Sequence, residues 1–205
     1  VSCFNGSNGG IQLSATGGSS PYTYLWWQDA SVLSSVTHLT SGTYGVSVTD
    51  SSGCVKDTQI TIVQAPLLTS TMSTTMVSCK GGSDGSASVV AGGGTTPYAY
   101  TWTPAAANAA IANNLKAGQH SVLINDAKGC QKKDSINVQE PTVLTAQLST
   151  TALSCFGVHD GKASAFASGG TPPYTYQWTL VATADSFATA LSGGNFNMTV
   201  FDAKA

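Results

Sequence analysis

The sequence predicts an all-β fold built as three tandem β-sandwich modules, and three observations carry that prediction. Short motifs return with a fixed period of 76 residues across the 205-residue chain. Within each copy apolar residues alternate with period two, which places them on one face of a half-buried strand. Between these runs lie clusters of Gly, Asn, Asp and Ser, the residues that tight turns demand.

The period is read from several anchors. Ser2-Cys3 returns as Ser78-Cys79 and Ser154-Cys155. Pro21-Tyr22-Thr23-Tyr24-Leu25-Trp26 returns as Pro97-Tyr98-Ala99-Tyr100-Thr101-Trp102 and as Pro173-Tyr174-Thr175-Tyr176-Gln177-Trp178. Leu39, Leu115 and Leu191 keep the same phase, as do Asp50, Asp126 and Asp202. A period of this length, held three times, marks a repeat array. It sets modules at 1–66, 67–142 and 143–205, of which the second is complete. The first is expected to lack an opening strand, found at Leu67–Ser73 in the second. The third is expected to lack a closing strand and its second cysteine, so the chain reads as an excerpt.

Each strand has its own pattern. One inward set is Ile11, Leu13, Ala15, matched by Ala87, Val89, Ala91 and by Ala163, Ala165, Ala167. Tyr22, Tyr24 and Trp26 share one face of the next. Tyr44, Val46 and Val48 are matched by His120, Val122, Ile124 and by Phe196, Met198, Val200. Leu68 with Met72, and Leu144 with Leu148, open the second and third modules. Ile60 with Ile62, and Ile136 with Val138, close the first two. Asn8-Gly9, Asp84-Gly85 and Asp160-Gly161 read as tight-turn dipeptides, with positive φ tolerated at both positions. Gly17-Gly18, Gly92-Gly93-Gly94 and Gly169-Gly170 mark the turn before the Pro-Tyr strand. Asp50-Ser51-Ser52-Gly53 and Asp126-Ala127-Lys128-Gly129 fit a type I turn. Six or seven such strands in 76 residues, with a Trp in the third, predict a Greek-key sandwich of immunoglobulin type. The linkers at Pro66 and Pro141 are short and proline-restricted, which predicts an extended rod of about 100–120 Å.

Composition excludes several functions. All eight basic residues are lysines, scattered and outnumbered by ten acids, whereas nucleic-acid binders cluster Lys and Arg against phosphate. No apolar run is long enough to insert in a membrane. With 41% hydrophobic residues and a net charge of −2, burial offsets chain entropy and disorder is not expected.

The motifs resemble the SprB repeat family of large surface adhesins in gliding and related Bacteroidetes bacteria. The resemblance rests on Ser-Cys-Phe-x-Gly at Cys3, Gly-Gly-x-x-Pro-Tyr-x-Tyr-x-Trp ending at Trp26, and Gly-x-Tyr-x-Val-x-Val-x-Asp-x-x-Gly-Cys ending at Cys54. It covers essentially the whole chain. The Pro-Tyr-x-Tyr-x-Trp strand alone also resembles PKD-type immunoglobulin-like domains. Membership implies export to the cell surface by type IX secretion and service in an adhesin filament. His120 stands where the family has an aromatic, and Ala205 where it has Gly.

No catalytic constellation is present in the sequence. His38, His120 and His159 do not recur in phase, no His–nucleophile pair or paired carboxylate stands out, and no cofactor is implied. His120 is expected to point inward as an aromatic substitute. Asp50, Asp126 and Asp202 recur, yet calcium needs several converging oxygens, and these aspartates read as turn formers. No lysine recurs in phase to form an isopeptide. Ser135, within Asp134-Ser135-Ile136, matches a short O-glycosylation motif, and Asn5 and Asn197 begin N-glycosylation sequons. Trp27 follows the inward Trp26, so alternation sends it to the opposite face as a surface-contact candidate. Packing beneath a neighbouring loop is the alternative for it.

The five cysteines follow the repeat. Cys3 and Cys54 fall in the first module, Cys79 and Cys130 in the second, and Cys155 in the third, where no partner is present. Disulfides Cys3–Cys54 and Cys79–Cys130 are expected for an exported protein, each closing a loop worth roughly 4 kcal/mol. Cys54–Cys79 with Cys130–Cys155, or free thiols, are the alternatives. The expected role is a structural and adhesive array whose partners are neighbouring repeats, with surface polysaccharide or abiotic surfaces as further contacts. A carbohydrate-binding module, or accessory domains beside a secreted enzyme, are the competing readings.

Overall fold

A computed structural model describes residues 1–104, 107–179 and 181–204. Its strands recur in the order of the repeat. The first copy holds β1 (Gly9–Gln12), β2 (Thr23–Trp26), β3 (Ser35–Leu39), β4 (Gly42–Thr49) and β5 (Val55–Ile62). The second holds β6 (Thr69–Thr75), β7 (Gly85–Gly92), β8 (Ala99–Thr103), β9 (Ile111–Leu115), β10 (Gly118–Asn125) and β11 (Gln131–Val138). The third holds β12 (Thr145–Thr151), β13 (Gly161–Ser168), β14 (Thr175–Trp178), β15 (Phe187–Leu191) and β16 (Met198–Phe201). Among the described residues no helix is long and apolar enough to cross a membrane.

Strand order, which the sequence does not supply, repeats as faithfully as the motifs. One sheet of each copy runs β1-β3, β6-β7-β9 and β12-β13-β15; the other runs β2-β4-β5, β8-β10-β11 and β14-β16. In the second copy the first, second and fourth strands form one sheet and the third, fifth and sixth the other. That is the strand partition of an immunoglobulin sandwich without its fourth edge strand. The registers confirm the alternation. Tyr24 lies opposite Val48 and Trp26 opposite Val46, so residues that the period placed inward face each other across the ladder.

By its internal contacts the chain divides into two compact units. One comprises Val1–Thr71, Val89–Ala110 and Ser121–Asp134; the other comprises Met72–Ser88, Ile111–His120 and Ser135–Ala205. In the first unit Ile11, Trp26 and Val46 form a buried cluster, with Leu13, Val36, Leu39, Tyr44, Ile60 and Ile62 packed against it. Residues of both sheets meet there, which makes it a sandwich core. In the second unit Ala163, Ala165, Trp178, Ala188 and Leu191 form the corresponding cluster.

Buried tryptophans need a partner for the indole N–H. Each finds a backbone carbonyl seven residues on: Trp26 donates to Leu33 O (2.9 Å), Trp102 to Ala109 O (2.9 Å) and Trp178 to Asp185 O (3.0 Å). The first tyrosine of the motif ties back in the same way. Tyr22, Tyr98 and Tyr174 donate to the carbonyls of Gly17, Gly93 and Gly169. His120 is buried, and its Nε2 lies 3.0 Å from Lys116 O. Tyr44 donates to the equivalent carbonyl, Thr40 O, at 3.0 Å, so the histidine replaces the tyrosine in hydrogen bonding as well as in packing.

One turn expectation is corrected. Asn8-Gly9, Asp84-Gly85 and Asp160-Gly161 are not positive-φ hairpin dipeptides; none of the six has positive φ. The side chains of Asn8, Asp84 and Asp160 instead accept from the N–H of Ser2, Ser78 and Ser154. The glycine after each begins a strand where a Cβ would stand 2.7–3.0 Å from the carbonyl of Leu39, Leu115 or Leu191. Close backbone approach, not positive φ, selects glycine there. The Asp50 and Asp126 turns are as expected, with Gly53 N donating to Asp50 O (3.0 Å) and Gly129 N to Asp126 O (3.1 Å).

Candidate functional site

The feature that joins one repeat to the next lies within the first unit. The Val1 amino group donates to Val63 O (2.7 Å), Ala65 N to Val1 O (3.3 Å), and Asn5 N to Gln64 Oε1 (2.7 Å). Residues 1–5 are thus fastened to the segment just past the end of β5. That segment continues through Pro66 into β6. A cleft of about 610 Å³ there is lined by Cys3, Phe4, Leu67, Thr69, Gly129 and Cys130, among others. Cys3 and Cys130 meet across it with Cα atoms 5.6 Å apart and form a disulfide spanning 127 residues of sequence.

This overturns the intramodule pairing. Cys54 immediately precedes β5, whereas Cys3 is held beyond the other end of that strand. Eight residues of extended chain put about 26 Å between those ends. A disulfide needs Cα atoms within about 7 Å. Cys3–Cys54 is therefore geometrically excluded. The loop carrying Cys79 is fastened likewise: Val77 N donates to Gln139 O (3.0 Å), and Glu140 pairs with Lys80 and accepts from Gly81 N (2.9 Å). That loop is thus fixed past the end of β11, while Cys130 precedes its start. Cys79–Cys130 does not form, nor do Cys54–Cys79 or Cys130–Cys155. Cys54, Cys79 and Cys155 are exposed free thiols. A bond between successive copies is thus present, as in the alternative scheme, but it joins the opening cysteine of the first copy to the closing cysteine of the second, one full period beyond Cys54.

The turn that presents Cys130 is set by Asp126, which is buried. Its Oδ1 accepts from Lys128 N and Cys130 N (both 2.8 Å), and its Oδ2 from Thr95 N (2.9 Å). Burial pushes this carboxyl up, but the N–H donors of Cys130, Thr95, Lys128 and Gly129 outweigh it and hold it below the usual aspartate value. Asp50 holds Ser19, Ser52 and Cys54 in the same way, and those donors, Ser19 first, lower its pKa. The recurrent aspartates thus spend their oxygens on backbone N–H groups, as turn formers do. Among the described residues no three His, Cys, Asp or Glu side chains gather where they could hold a metal ion.

The other candidates lie apart. Trp27 is 50% exposed on the face opposite Trp26. Its ring covers Gly45, where a Cβ would stand 2.1 Å from the indole, and its Nε1 donates to Ser47 Oγ (3.0 Å). It packs on its own sheet and not beneath a loop. The other copies carry Thr103 and Thr179 at this phase, and Ser121 and Asn197 in place of Gly45. Ser135 is exposed on β11, 3.4 Å from Gln119 Nε2. His38 and His159 are exposed, and Ala205 lies outside the described residues.

No curated protein matches the chain by sequence. Among solved structures it is similar to the amphioxus IgVJ-C2 molecule, at 17% identity over 67% of this chain and 99% of that one, with a TM-score of 0.33. It is also similar to the N-terminal eight Ig domains of Down Syndrome Cell Adhesion Molecule, at 12% identity over 82% of this chain and 26% of that one, TM-score 0.40. Domains 4–9 of the surface layer protein SbsC match at 15% identity over 83% and 32%, TM-score 0.28. The SprB repeat model matches three times, at residues 1–30, 71–107 and 148–183, one match in each 76-residue period. The chain belongs to the SprB repeat family.

Proposed function

We propose that this chain is a structural and adhesive segment of a bacterial cell-surface adhesin or stalk, a spacer assembled from repeats at 1–66, 67–142 and 143–205. The observation that carries the reading is the Cys3–Cys130 bond, which fastens the start of one repeat to a turn of the next. A tie between successive repeats limits extension under load, a property a stalk uses and an isolated binding domain does not. The disulfide also supports an exported location, since such bonds persist in oxidising surroundings. The role is non-catalytic: the repeated polar groups are engaged in turns and ladders.

Mechanical pulling on the intact chain tests the reading. The oxidised chain should release less length on full unfolding than the reduced chain. The difference should be roughly 420–460 Å, the extended length of the 127 residues the bond encloses. Equal lengths in both states would remove the support. Saturable binding to a surface polysaccharide, abolished by Trp27→Ala, would favour the carbohydrate-binding reading instead.

A further inference from the structure

The outer face of the β2-β4-β5 sheet carries a feature that the fold does not need. Trp27 lies just past β2, where its N–H donates to Gly45 O (3.0 Å) and carries the strand pairing one step further. The benzene ring of the indole lies on Gly45, where a Cβ would meet Cε3, Cδ2 and Cζ3 at 2.1–2.6 Å. The indole N–H is spent on Ser47 Oγ, so the half-exposed side chain offers solvent the other face of its ring. A glycine inside a strand weakens it. The other repeats manage with Thr103 and Ser121, or Thr179 and Asn197, at these two positions. The pair is therefore a platform and not a requirement of the sandwich.

Its surroundings are anionic. Register places Gln59 opposite Gly45 and Asp57 opposite Ser47, so a carboxylate stands beside the residue that anchors the indole. Val55, Gln59 and Thr61, the other residues on that side of β5, carry no charge. Asp57 is exposed and has no ion-pair partner among the described residues. An aromatic face with a carboxylate at its edge is a seat for a cation, since the ring quadrupole attracts an ammonium within about 6 Å of its centroid. One period beyond Asp57 stands Lys133, also exposed and without an ion-pair partner among the described residues. The charge thus changes sign at one position of successive repeats. The second repeat, flanked in the chain by a repeat on either side, leaves this face open as well, with Thr101, Thr103 and Ser135 exposed.

We propose that this face docks a second copy of the chain, with Lys133 of the second copy seated over Trp27 and against Asp57. Opposite charges at one phase make the first repeat of one copy complementary to the second repeat of another. Two first repeats would instead bring carboxylates together. Charge pairs of this kind set partner and register more than affinity, so the association is weak and salt-sensitive.

Sedimentation equilibrium of the intact, disulfide-bonded chain tests this in low salt, at concentrations up to about 1 mM. Reversible self-association is expected, weakened about tenfold or more by Asp57→Lys or by Lys133→Asp. Trp27→Thr should weaken it too. Mixing the two charge variants should restore it, because one supplies the original lysine and the other the original platform. A chain that stays single, an association that neither reversal weakens, or a mixture no tighter than its parts would overturn the proposal. None of these results bears on the Cys3–Cys130 tie, which the pulling experiment reads.

Discussion

The first and third repeats build one strand pattern around different interiors. Trp26 sits on Ile11 and Val46, with Leu13, Val36, Leu39 and Ile60 packed against them, whereas Trp178 sits on Ala163, Ala165, Ala188 and Leu191, with Tyr176, Phe196 and Met198 packed against them. The indole hydrogen bond, the tyrosine-to-glycine bond and the capped loop before the first shared strand are nevertheless the same in both. Volume is negotiable in a core provided the pattern holds, while a buried N–H without an acceptor is not. The first repeat is further held by a disulfide and the third presents Cys155 as a free thiol. The two copies should therefore differ in stability although they agree in topology.

The largest expected effect separates them through the bond. A loop of 127 residues stabilises by about 5 kcal/mol on the chain-entropy model. Reduction, or Cys3→Ser, should lower the melting of the first repeat and leave the third repeat, which lies wholly outside the closed loop, unmoved. Calorimetry with and without reductant reads this directly. Equal shifts of both transitions would mean that the bond does not act locally.

The cores can be compared next. Trp26→Ala and Trp178→Ala should each cost about 3–5 kcal/mol, the range for a large aromatic removed from a core. The outcomes should diverge. The aliphatic first core retains enough burial to fold, while the third core, built on alanines with Leu191, Tyr176, Phe196 and Met198 around the tryptophan, loses its largest side chain and unfolds. Limited proteolysis mapped to 143–205 distinguishes the two, and an intact third repeat in Trp178→Ala would refute the contrast.

Strand content, the inward faces and the repeat itself were legible because period-two alternation and turn chemistry are local properties. Cys3 shows where local reading stops. Its partner was set by the length of β5 and by the bonds from Val1 and Asn5 to Val63 and Gln64, which no motif announces. Asp84 and Asp160 were seen as turn residues for the wrong reason. Their dipeptides suit a hairpin, but the strand partner's carbonyl presses on the glycine and the carboxylate caps a serine N–H. Alternation puts Trp27 on the face opposite Trp26, yet its seat on Gly45 depends on a residue eighteen positions on in sequence, brought alongside by the pairing of β2 with β4.

That seat gives a smaller effect. Trp27→Thr installs in the first repeat the residue the other two carry. The ring is half-exposed, so the loss should be about 1 kcal/mol, roughly half the value for full burial of a large apolar side chain. Adding Gly45→Ser, which completes the pair seen as Thr103 and Ser121, should recover part of that loss. Urea denaturation of the single and double variants measures the coupling, and a double variant no better than the sum of its parts would show that the two positions act independently.

The smallest effect at neutral pH concerns the loop cap, where the copies differ by a charge. Asn8 accepts from Ser2 N (2.9 Å) and donates its amide to Ser2 Oγ (2.7 Å). Asp160 accepts from Ser154 N (3.2 Å) and from Ser154 Oγ (2.5 Å). The Ser154 hydroxyl, then its N–H, holds the Asp160 carboxyl below the usual aspartate value. A carboxylate whose folded pKa is depressed contributes stability that is present above its unfolded pKa, about 3.9, and is lost as pH falls through the folded value. The third repeat should accordingly lose stability at this loop below about pH 4, while the first repeat's Asn8 loop should not. Asp160→Asn reproduces the first repeat's solution, with Ser154 Oγ turning from donor to acceptor. The variant should melt within a degree or so of the parent at pH 7, as surface exchanges usually do, and should show a smaller drop between pH 5 and pH 2.5. An unchanged drop would place the acid sensitivity of the third repeat elsewhere.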